Sequence, residues 1–297
     1  MARDLPFDFS LPGPLRYVAF DPLGMFLAVA LGGRSTVYVH RRLERGWESL
    51  GAPLLGHSGC VLKLAWAHAD HGPLFASGSE DCTVKIWELS ASADEKATWR
   101  LQSTLTMHRD RPVDLQFLEE GNRLVLACGS AGEVSIYVCE DRSRVEWKVA
   151  SSFRLPDLST ICWGLGYEDF RIAAGSGSQS QGKLQVWQMN ADRWSIQATL
   201  AVSSAPTCIA WGRAAGRKCA YLAAGYSSGK LEIYTFPIDA IRLAADSVFV
   251  LDCESVAVQR LDWDGLGVYL SITWASGRVD VVKRTLAKTW KSVANRR

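Results

Sequence analysis

No run of about 18 apolar residues occurs in this chain, so no stretch is built to cross a bilayer as a helix, and direct membrane insertion is not expected. An excess of either charge is also missing. Lys and Arg total 33 against 31 Asp and Glu, and a net charge of +2 gives no long-range field for nucleic acid or anionic lipid. The eight cysteines, Cys60, Cys82, Cys128, Cys139, Cys162, Cys208, Cys219 and Cys253, stand singly in apolar stretches without a CxxC pair, which removes the usual zinc and redox motifs. They read as small buried hydrophobes. The opening MARDLPFDFSLPGP has an acid and prolines where a signal peptide needs an unbroken apolar core. A reducing, cytosolic or nuclear compartment is therefore expected. Helical periodicity is absent as well. Runs such as TVKIW place apolar residues at every second position, and the glycines between runs leave no helical stretch of useful length.

What is present is an ordinary globular composition, 48% hydrophobic and 22% charged over 297 residues, with enough chain for a large core. One pattern returns six times within it. CTVKIWEL at 82–89 has counterparts in GEVSIYVC at 132–139, GKLQVWQM at 182–189 and GKLEIYTF at 229–236, with weaker copies RSTVYVHR at 34–41 and GRVDVVKR at 277–284. The anchors are His40, Trp87, Tyr137, Trp187, Tyr234 and Val282, separated by 47, 50, 50, 47 and 48 residues. A small-residue strand precedes each copy, carrying Ala28, Ala76, Ala127, Ala174 and Ala224, and before it lies a strand ending in Phe20, Trp66, Phe117, Trp163, Trp211 or Trp263. A fourth segment follows each anchor, often opened by tryptophan, and Trp47, Trp99, Trp147, Trp194 and Trp290 read as the more exposed members of the twelve. Four alternating strands per unit make a sheet that cannot bury both faces alone, and radial stacking of such sheets solves the problem. The expected fold is all-β, a six-bladed β-propeller in one domain over 1–297, with an N-terminal segment 1–10 and blades near 11–56, 57–108, 109–156, 157–204, 205–254 and 255–297.

Catalytic and ligand chemistry is thinly represented. GSGSQSQG at 175–182 has the glycines of a loose phosphate loop, but it joins two strands and no helix follows. His68, Asp70 and His71 lack further ligands at metal spacing, so no metal and no cofactor is expected. His57, Asp81 and Ser79 include the residue types of a triad, yet Asp81 falls in a tight turn and the hydroxyl is tied up rather than poised for attack. Glu119 and Glu120 lie at a loop with no apolar pocket to raise a pKa. The tryptophans are not interleaved with Arg and Lys in the manner of a nucleic-acid platform. Lys283, Arg284, Lys288, Lys291, Arg296 and Arg297 make the C-terminal run basic, a feature that suits contact with a membrane or with acidic partners, though such a tail is more often merely solvated.

HSGCVLKLAWAHADHGPLFASGSEDCTVKIWEL at 57–89 resembles the WD-repeat family. The family's hydrogen-bonded structural network of Gly-His, strand Ser, turn Asp and strand-terminal Trp falls on Gly56-His57, Ser77 or Ser79, Asp81 and Trp87. Only the second unit carries the whole set. The third keeps His108, and the sixth has neither the turn Asp nor the Trp, so several blades are expected to be held by packing alone. Along nearly its whole length the chain resembles the Seh-type WD-repeat nucleoporins, the propeller subunits of the Y-shaped nuclear-pore scaffold complex, and their COPII-coat relatives. The stretches that carry this are WAHADHGPLFASGSEDCTVKIWE, WSIQATLAVSSAPTCIAWGRAAGRKCAYLAAGYSSGKLEIYTF and GVYLSITWASGRVDVVKRTLAKTWKSV, and the insert SGSQSQ at 176–181 is similar to the Seh type's longer loop.

The resemblance implies an open six-bladed propeller closed in trans by a seventh blade from a helical scaffold nucleoporin, with other coat-like subunits as further partners. It implies a place at the nuclear pore. Its alternatives are a lysosomal or vacuolar nutrient-signalling complex and a COPII-type coat. The sequence itself adds that each unit supplies its own four strands, and that LPFDFS at 5–10 is too short for more than one more. A partner's strands are therefore expected to add between the first and last units. The expected surface is Leu15, Tyr17, Val18 and Phe20 on one side and Leu261, Trp263, Val279 and Val281 on the other, with packing of the same residues inside a closed ring as the alternative. The expected function is a non-catalytic protein-interaction scaffold. A propeller hydrolase or lectin would need convergent polar residues at a channel mouth, and a ubiquitin-ligase receptor or chromatin reader an acidic or aromatic top-face pocket.

Overall fold

Alternating segments broken by Gly, Ser, Asp and Pro become short strands. The computed structural model describes residues 11–90, 97–106, 110–118, 124–140, 145–164, 171–190, 193–212, 219–237, 247–252, 256–264, 266–285 and 290–296. The first sheet holds β1 (Leu15–Phe20), β2 (Phe26–Leu31), β3 (Val37–Arg42) and β4 (Trp47–Ser49), and the second β5 (Val61–Trp66), β6 (Leu74–Ser79), β7 (Val84–Ser90) and β8 (Thr98–Leu105). The third comprises β9 (Pro112–Phe117), β10 (Leu124–Ser130), β11 (Glu133–Cys139) and β12 (Trp147–Arg154), and the fourth β13 (Leu158–Gly164), β14 (Arg171–Gly177), β15 (Gly182–Asn190) and β16 (Arg193–Val202). The fifth has β17 (Cys208–Gly212), β18 (Cys219–Gly225), β19 (Lys230–Pro237) and β20 (Ser247–Asp252), and the sixth β21 (Val258–Trp263), β22 (Tyr269–Trp274), β23 (Val279–Arg284) and β24 (Trp290–Arg296). Every sheet is antiparallel and takes four strands consecutive in sequence. This is the all-β, six-bladed propeller that the repeat predicts. Residues 1–10, His108, Glu119, Glu120, Cys253, Lys288 and Arg297 lie outside the described residues.

Two compact units divide the chain, Met1–Arg154 and Leu155–Arg297, with three sheets in each. In the first unit Ala28, Ala30, Val37 and Val39 of the first sheet pack on Val61, Phe75, Trp87 and Trp99 of the second. The opposite face of the second, with Leu74, Ala76 and Ile86, meets Leu115, Phe117, Leu126 and Tyr137 of the third. In the second unit Ala173, Leu184 and Val186 of the fourth sheet meet Ile209, Trp211 and Leu222 of the fifth, whose other face meets Val258, Leu270, Ile272 and Trp274 of the sixth. Each such Val, Leu, Ile or Phe side chain contributes about 1.5–3 kcal/mol by burial.

Small second-strand residues let these faces approach. Ala28, Ala76, Ala127, Ala174 and Ala224 are all fully or nearly fully buried. A Cβ at Gly225 would lie 2.5 Å from the Val258 Cγ1 of the next sheet, and one at Gly78 would lie 3.0 Å from Pro112 and Leu115. The first strand of one sheet thus rests on bare backbone of its neighbour.

In the second and sixth sheets the tryptophan that ends the first strand fixes the same contact. Trp66 donates its indole N–H to the Ala19 carbonyl at 2.9 Å, and Trp263 donates to Ala210 at 3.1 Å. A fourth-strand tryptophan packs on the first-strand aromatic within its own sheet: Trp47 on Phe20, Trp99 on Trp66, Trp147 on Phe117 and Trp290 on Trp263, with ring centroids 5.7, 5.6, 6.4 and 5.5 Å apart. Trp99 and Trp290 are consequently buried, which removes them from the more exposed tryptophans expected from the sequence.

Candidate partner-binding surface

In the second unit of the repeat, a buried chain of hydrogen bonds runs through the residues singled out by sequence. Trp87 donates its indole N–H to Ser77 Oγ at 2.8 Å, Ser77 Oγ lies 2.8 Å from His57 Nε2, and His57 Nδ1 lies 2.9 Å from Asp81 Oδ2. An ionised Asp81 accepts from Nδ1–H, so Nε2 is left to accept the Ser77 hydroxyl hydrogen. Burial pushes the His57 imidazole below its ordinary pKa against the opposing pull of Asp81, which keeps the ring neutral near pH 7. Burial alone would raise the Asp81 carboxyl, but hydrogen bonds from Thr83, the Ser58 amide and His57 hold it well below the usual carboxylate range. Gly59 makes the turn apposition workable, because a Cβ there would sit 2.7 Å from the Asp81 nitrogen. Ser79 only accepts from the Asp81 amide at 3.2 Å. Ser77 is fully buried, so this arrangement holds a sheet together and leaves no hydroxyl open to a substrate.

Other candidate chemistry resolves into loops. Gly177 and Gly182 pair across β14 and β15, the Ser178 amide donates to the Gln181 carbonyl at 2.8 Å, and the next element is a strand, so no helix N-terminus faces a phosphate. His68, Asp70 and His71 occupy a 3-10 turn at Ala69–His71, with His68 Nδ1 3.2 Å from a solvent-exposed Asp70 carboxylate.

The eight surface residues expected to meet a partner do not share one face in either unit. Val18 and Phe20 lie on the face of the first sheet turned away from the second, with Leu27, Val29, Leu31, Tyr38 and Trp47, whereas Tyr17 points to the second sheet, where the Lys63 ammonium lies 5.0 Å from its ring centroid. Leu15 opens β1 at a register irregularity and is exposed. In the sixth sheet Leu261 is buried against the fifth, and Trp263 stacks on Tyr221 at 5.9 Å over Gly212. Leu261 and Trp263 are therefore spent on the neighbouring sheet, while Val279 and Val281 alternate to the opposite face and stay half-buried. A one-residue irregularity between Val258 and Arg260 brings Val258 onto the same face as Leu261 and Trp263, which strict alternation would not do.

Exposed apolar residues gather instead at a turn that sequence reasoning passed over. Phe20, Leu23, Met25 and Leu43 are 45%, 68%, 45% and 42% exposed at one end of the first sheet. Asp21 shapes that turn by accepting from the Phe26 amide at 2.6 Å, with Gly24 at φ 66°. The sixth sheet repeats it: Asp264 accepts from the Tyr269 amide at 2.9 Å, Gly267 has φ 62°, and Leu266 is 63% exposed. The available signal was the paired strings DPLGMFL at 21–27 and DGLGVYL at 264–270.

A family model described as "WD domain, G-beta repeat" matches residues 48–88, the segment that holds the His57, Ser77, Asp81 and Trp87 network. Nucleoporin SEH1-A of Xenopus laevis is 27% identical over 302 aligned positions, covering 93% of this chain and 83% of the relative. Nucleoporin SEH1 of Homo sapiens is 26% identical, covering 92% and 82%, and the protein SEC13 homolog of Drosophila melanogaster is 25% identical, covering 93% and 79%. The chain is a six-bladed β-propeller that carries one stretch matching the WD-repeat model and is similar along most of its length to the SEH1 and SEC13 proteins.

The last two sheets carry polar ties of their own in place of the His57 network, rather than relying on packing alone. In the fifth, Tyr226 and Tyr234 both donate to Glu232 Oε2 at 2.5 Å, and Lys230 meets Oε1 at 2.6 Å. Burial works to raise the Glu232 carboxyl, but these three donors outweigh it and hold it below its ordinary value. In the sixth, Trp274 donates to Asp280 Oδ2 at 2.8 Å, and Arg278 pairs with the same carboxylate.

Proposed function

We propose that this protein is a non-catalytic scaffold, a propeller subunit of a coat-like assembly at the nuclear pore, where it supports nucleocytoplasmic transport. Its six sheets act as one propeller domain and accept a seventh blade from a helical scaffold nucleoporin. The observation that carries the reading is topological. Each described sheet is completed by its own four consecutive strands, so among the described residues no strand from one end of the chain finishes the sheet at the other. The resemblance to proteins named as nucleoporins supports the choice of assembly.

The contact surface is narrower than the sequence suggests. Leu27, Val29 and Leu31 are already buried in the chain by itself, so a partner blade meets the first sheet through Leu15, Val18, Phe20 and the apolar turn at Leu23 and Met25, and the sixth through Val279, Val281 and Leu266. Strand addition supplies backbone hydrogen bonds there and the exposed leucines supply apolar burial. Co-expression with a candidate helical nucleoporin of the same organism tests this. A one-to-one complex with a raised melting temperature is expected, and a monomer with unchanged melting would overturn it.

A second reading has support of its own. Similarity to the SEC13 homolog is almost as high as to the SEH1 proteins, which favours a place in a vesicle-coat propeller class of the same architecture. Transport-coat subunits in place of nucleoporins among the recovered partners would decide for it, and subunits of a lysosomal or vacuolar nutrient-signalling complex would decide for that alternative.

A further inference from the structure

Two cations of the sixth sheet meet no carboxylate among the described residues. Lys283 and Arg284 end β23 half-buried, whereas in the same unit Lys230, Arg260 and Arg278 hold Glu232, Asp262 and Asp280 at 2.6, 2.7 and 2.8 Å. Arg284 lies over the Tyr221 ring, 5.1 Å from its centroid, and donates to the Tyr221 hydroxyl. The Lys283 ammonium sits 5.9 Å from the Tyr269 ring centroid. Lys291 stands directly across the β23–β24 ladder from Lys283, and like charges in that register are unfavourable in themselves. Between these groups opens a cavity of about 650 Å³, lined by Tyr221, Val268, Tyr269, Lys283 and Arg284 with Cys219 at its side, and no acidic residue is among its lining residues. Its volume is that of a ligand pocket, within the usual range of about 300–1,000 Å³.

We propose that this cavity is a docking pocket for an acidic segment of a protein partner. A Glu or Asp carboxylate meets Arg284 and Lys283, and a neighbouring apolar side chain covers Val268 and Tyr269. Half-buried cations without a counter-charge bind a carboxylate more strongly than solvated ones, and the guanidinium offers it a two-pronged donor. A bare phosphate would satisfy the cations and leave the apolar wall uncovered. A membrane would need a flat basic surface, and this site is concave. The proposal goes beyond the scaffold reading and does not depend on ring completion.

Fluorescence anisotropy of the purified full chain with a labelled eight-residue peptide of alternating Glu and Leu provides the test, beside the same peptide with Gln for Glu. Binding of the acidic peptide that weakens at least tenfold in Arg284→Gln and in Lys283→Gln, and that is unchanged in Lys183→Gln on β15, is the expected result. Arg284→Gln removes the Tyr221 contact, so its melting curve is recorded, and the Lys283→Gln result stands if that variant unfolds. Equal binding of the Gln peptide, indifference to both substitutions, or complete competition by inorganic phosphate at equal charge would overturn the proposal. So would binding to vesicles of phosphatidylcholine and phosphatidylserine that depends on the same two cations while the peptide fails to bind.

Discussion

Trp274 gives its indole N–H to Asp280 at 2.8 Å, and both side chains are buried in the sixth sheet. They stand at the positions that Ser79 and Lys85 occupy in the second sheet, by the register of each second strand on its third. A repeat that has lost its histidine, serine and tryptophan signature has therefore rebuilt a polar tie elsewhere in the same hairpin. Asp280→Ala strands the Trp274 donor and removes the Arg278 ion pair, so chemical denaturation should show a loss of roughly 1–3 kcal/mol. Trp274→Phe with Asp280→Ala should cost less than the two single changes summed, and strict additivity would argue against the coupling.

The buried ring of His57 makes stability fall on mild acidification. Burial lowers its pKa in the folded protein, so the unfolded chain takes up the proton first. Stability held by the neutral ring is fully present above about pH 6.5 and declines as pH falls through that value. His40, lowered by burial alone, acts in the same direction. The melting temperature should drop between pH 7.5 and 5.5, and the drop should be smaller in His57→Gln. Asp81 and Glu232 are held below their ordinary values, so what they contribute is lost only in stronger acid. An identical drop in wild type and variant would count against this assignment.

Gly225 is needed for the closeness of Val258. A Cβ at 2.5 Å from a valine methyl cannot be absorbed without a backbone shift, so Gly225→Ala should destabilise by about 1–3 kcal/mol. Val258→Ala in the same chain should restore part of the loss. Failure of that rescue would mean that the two sheets do not meet through this pair.

Trp263 and Leu23 should separate stability from binding. Trp263→Ala removes a ring stacked on Tyr221 and hydrogen-bonded to Ala210, a loss of about 3 kcal/mol at the lower end for core aromatics. Leu23→Ser, on an exposed turn, should stay within about 0.5 kcal/mol of wild type while weakening partner capture.

The spacing of Trp87, Tyr137, Trp187 and Tyr234 made the six-sheet fold readable, because each anchor ends an alternating strand and the unit length barely varies. The network around His57 was readable for the same reason, since all four members recur at family spacing in one unit. The ties at Glu232 and Asp280 were not. A carboxylate two residues before the anchor position looks like an ordinary surface charge until Tyr226 or Trp274 is seen beside it. Which faces those strand residues occupy was legible only in part. Alternation distinguishes two faces of a strand, but the irregularity after Val258 changes which residues share a face, and only the paired structure shows that Leu261 and Trp263 belong to the fifth sheet's side.

Whether a partner completes the ring is decided by affinity purification of the tagged protein at moderate salt, with quantitative mass spectrometry of wild type beside the Phe20→Ser, Leu23→Ser double variant. A helical nucleoporin recovered in stoichiometric amount with wild type and lost from a variant that melts normally is the expected result. Recovery of no stoichiometric partner, with the chain running as a stable monomer, would contradict it.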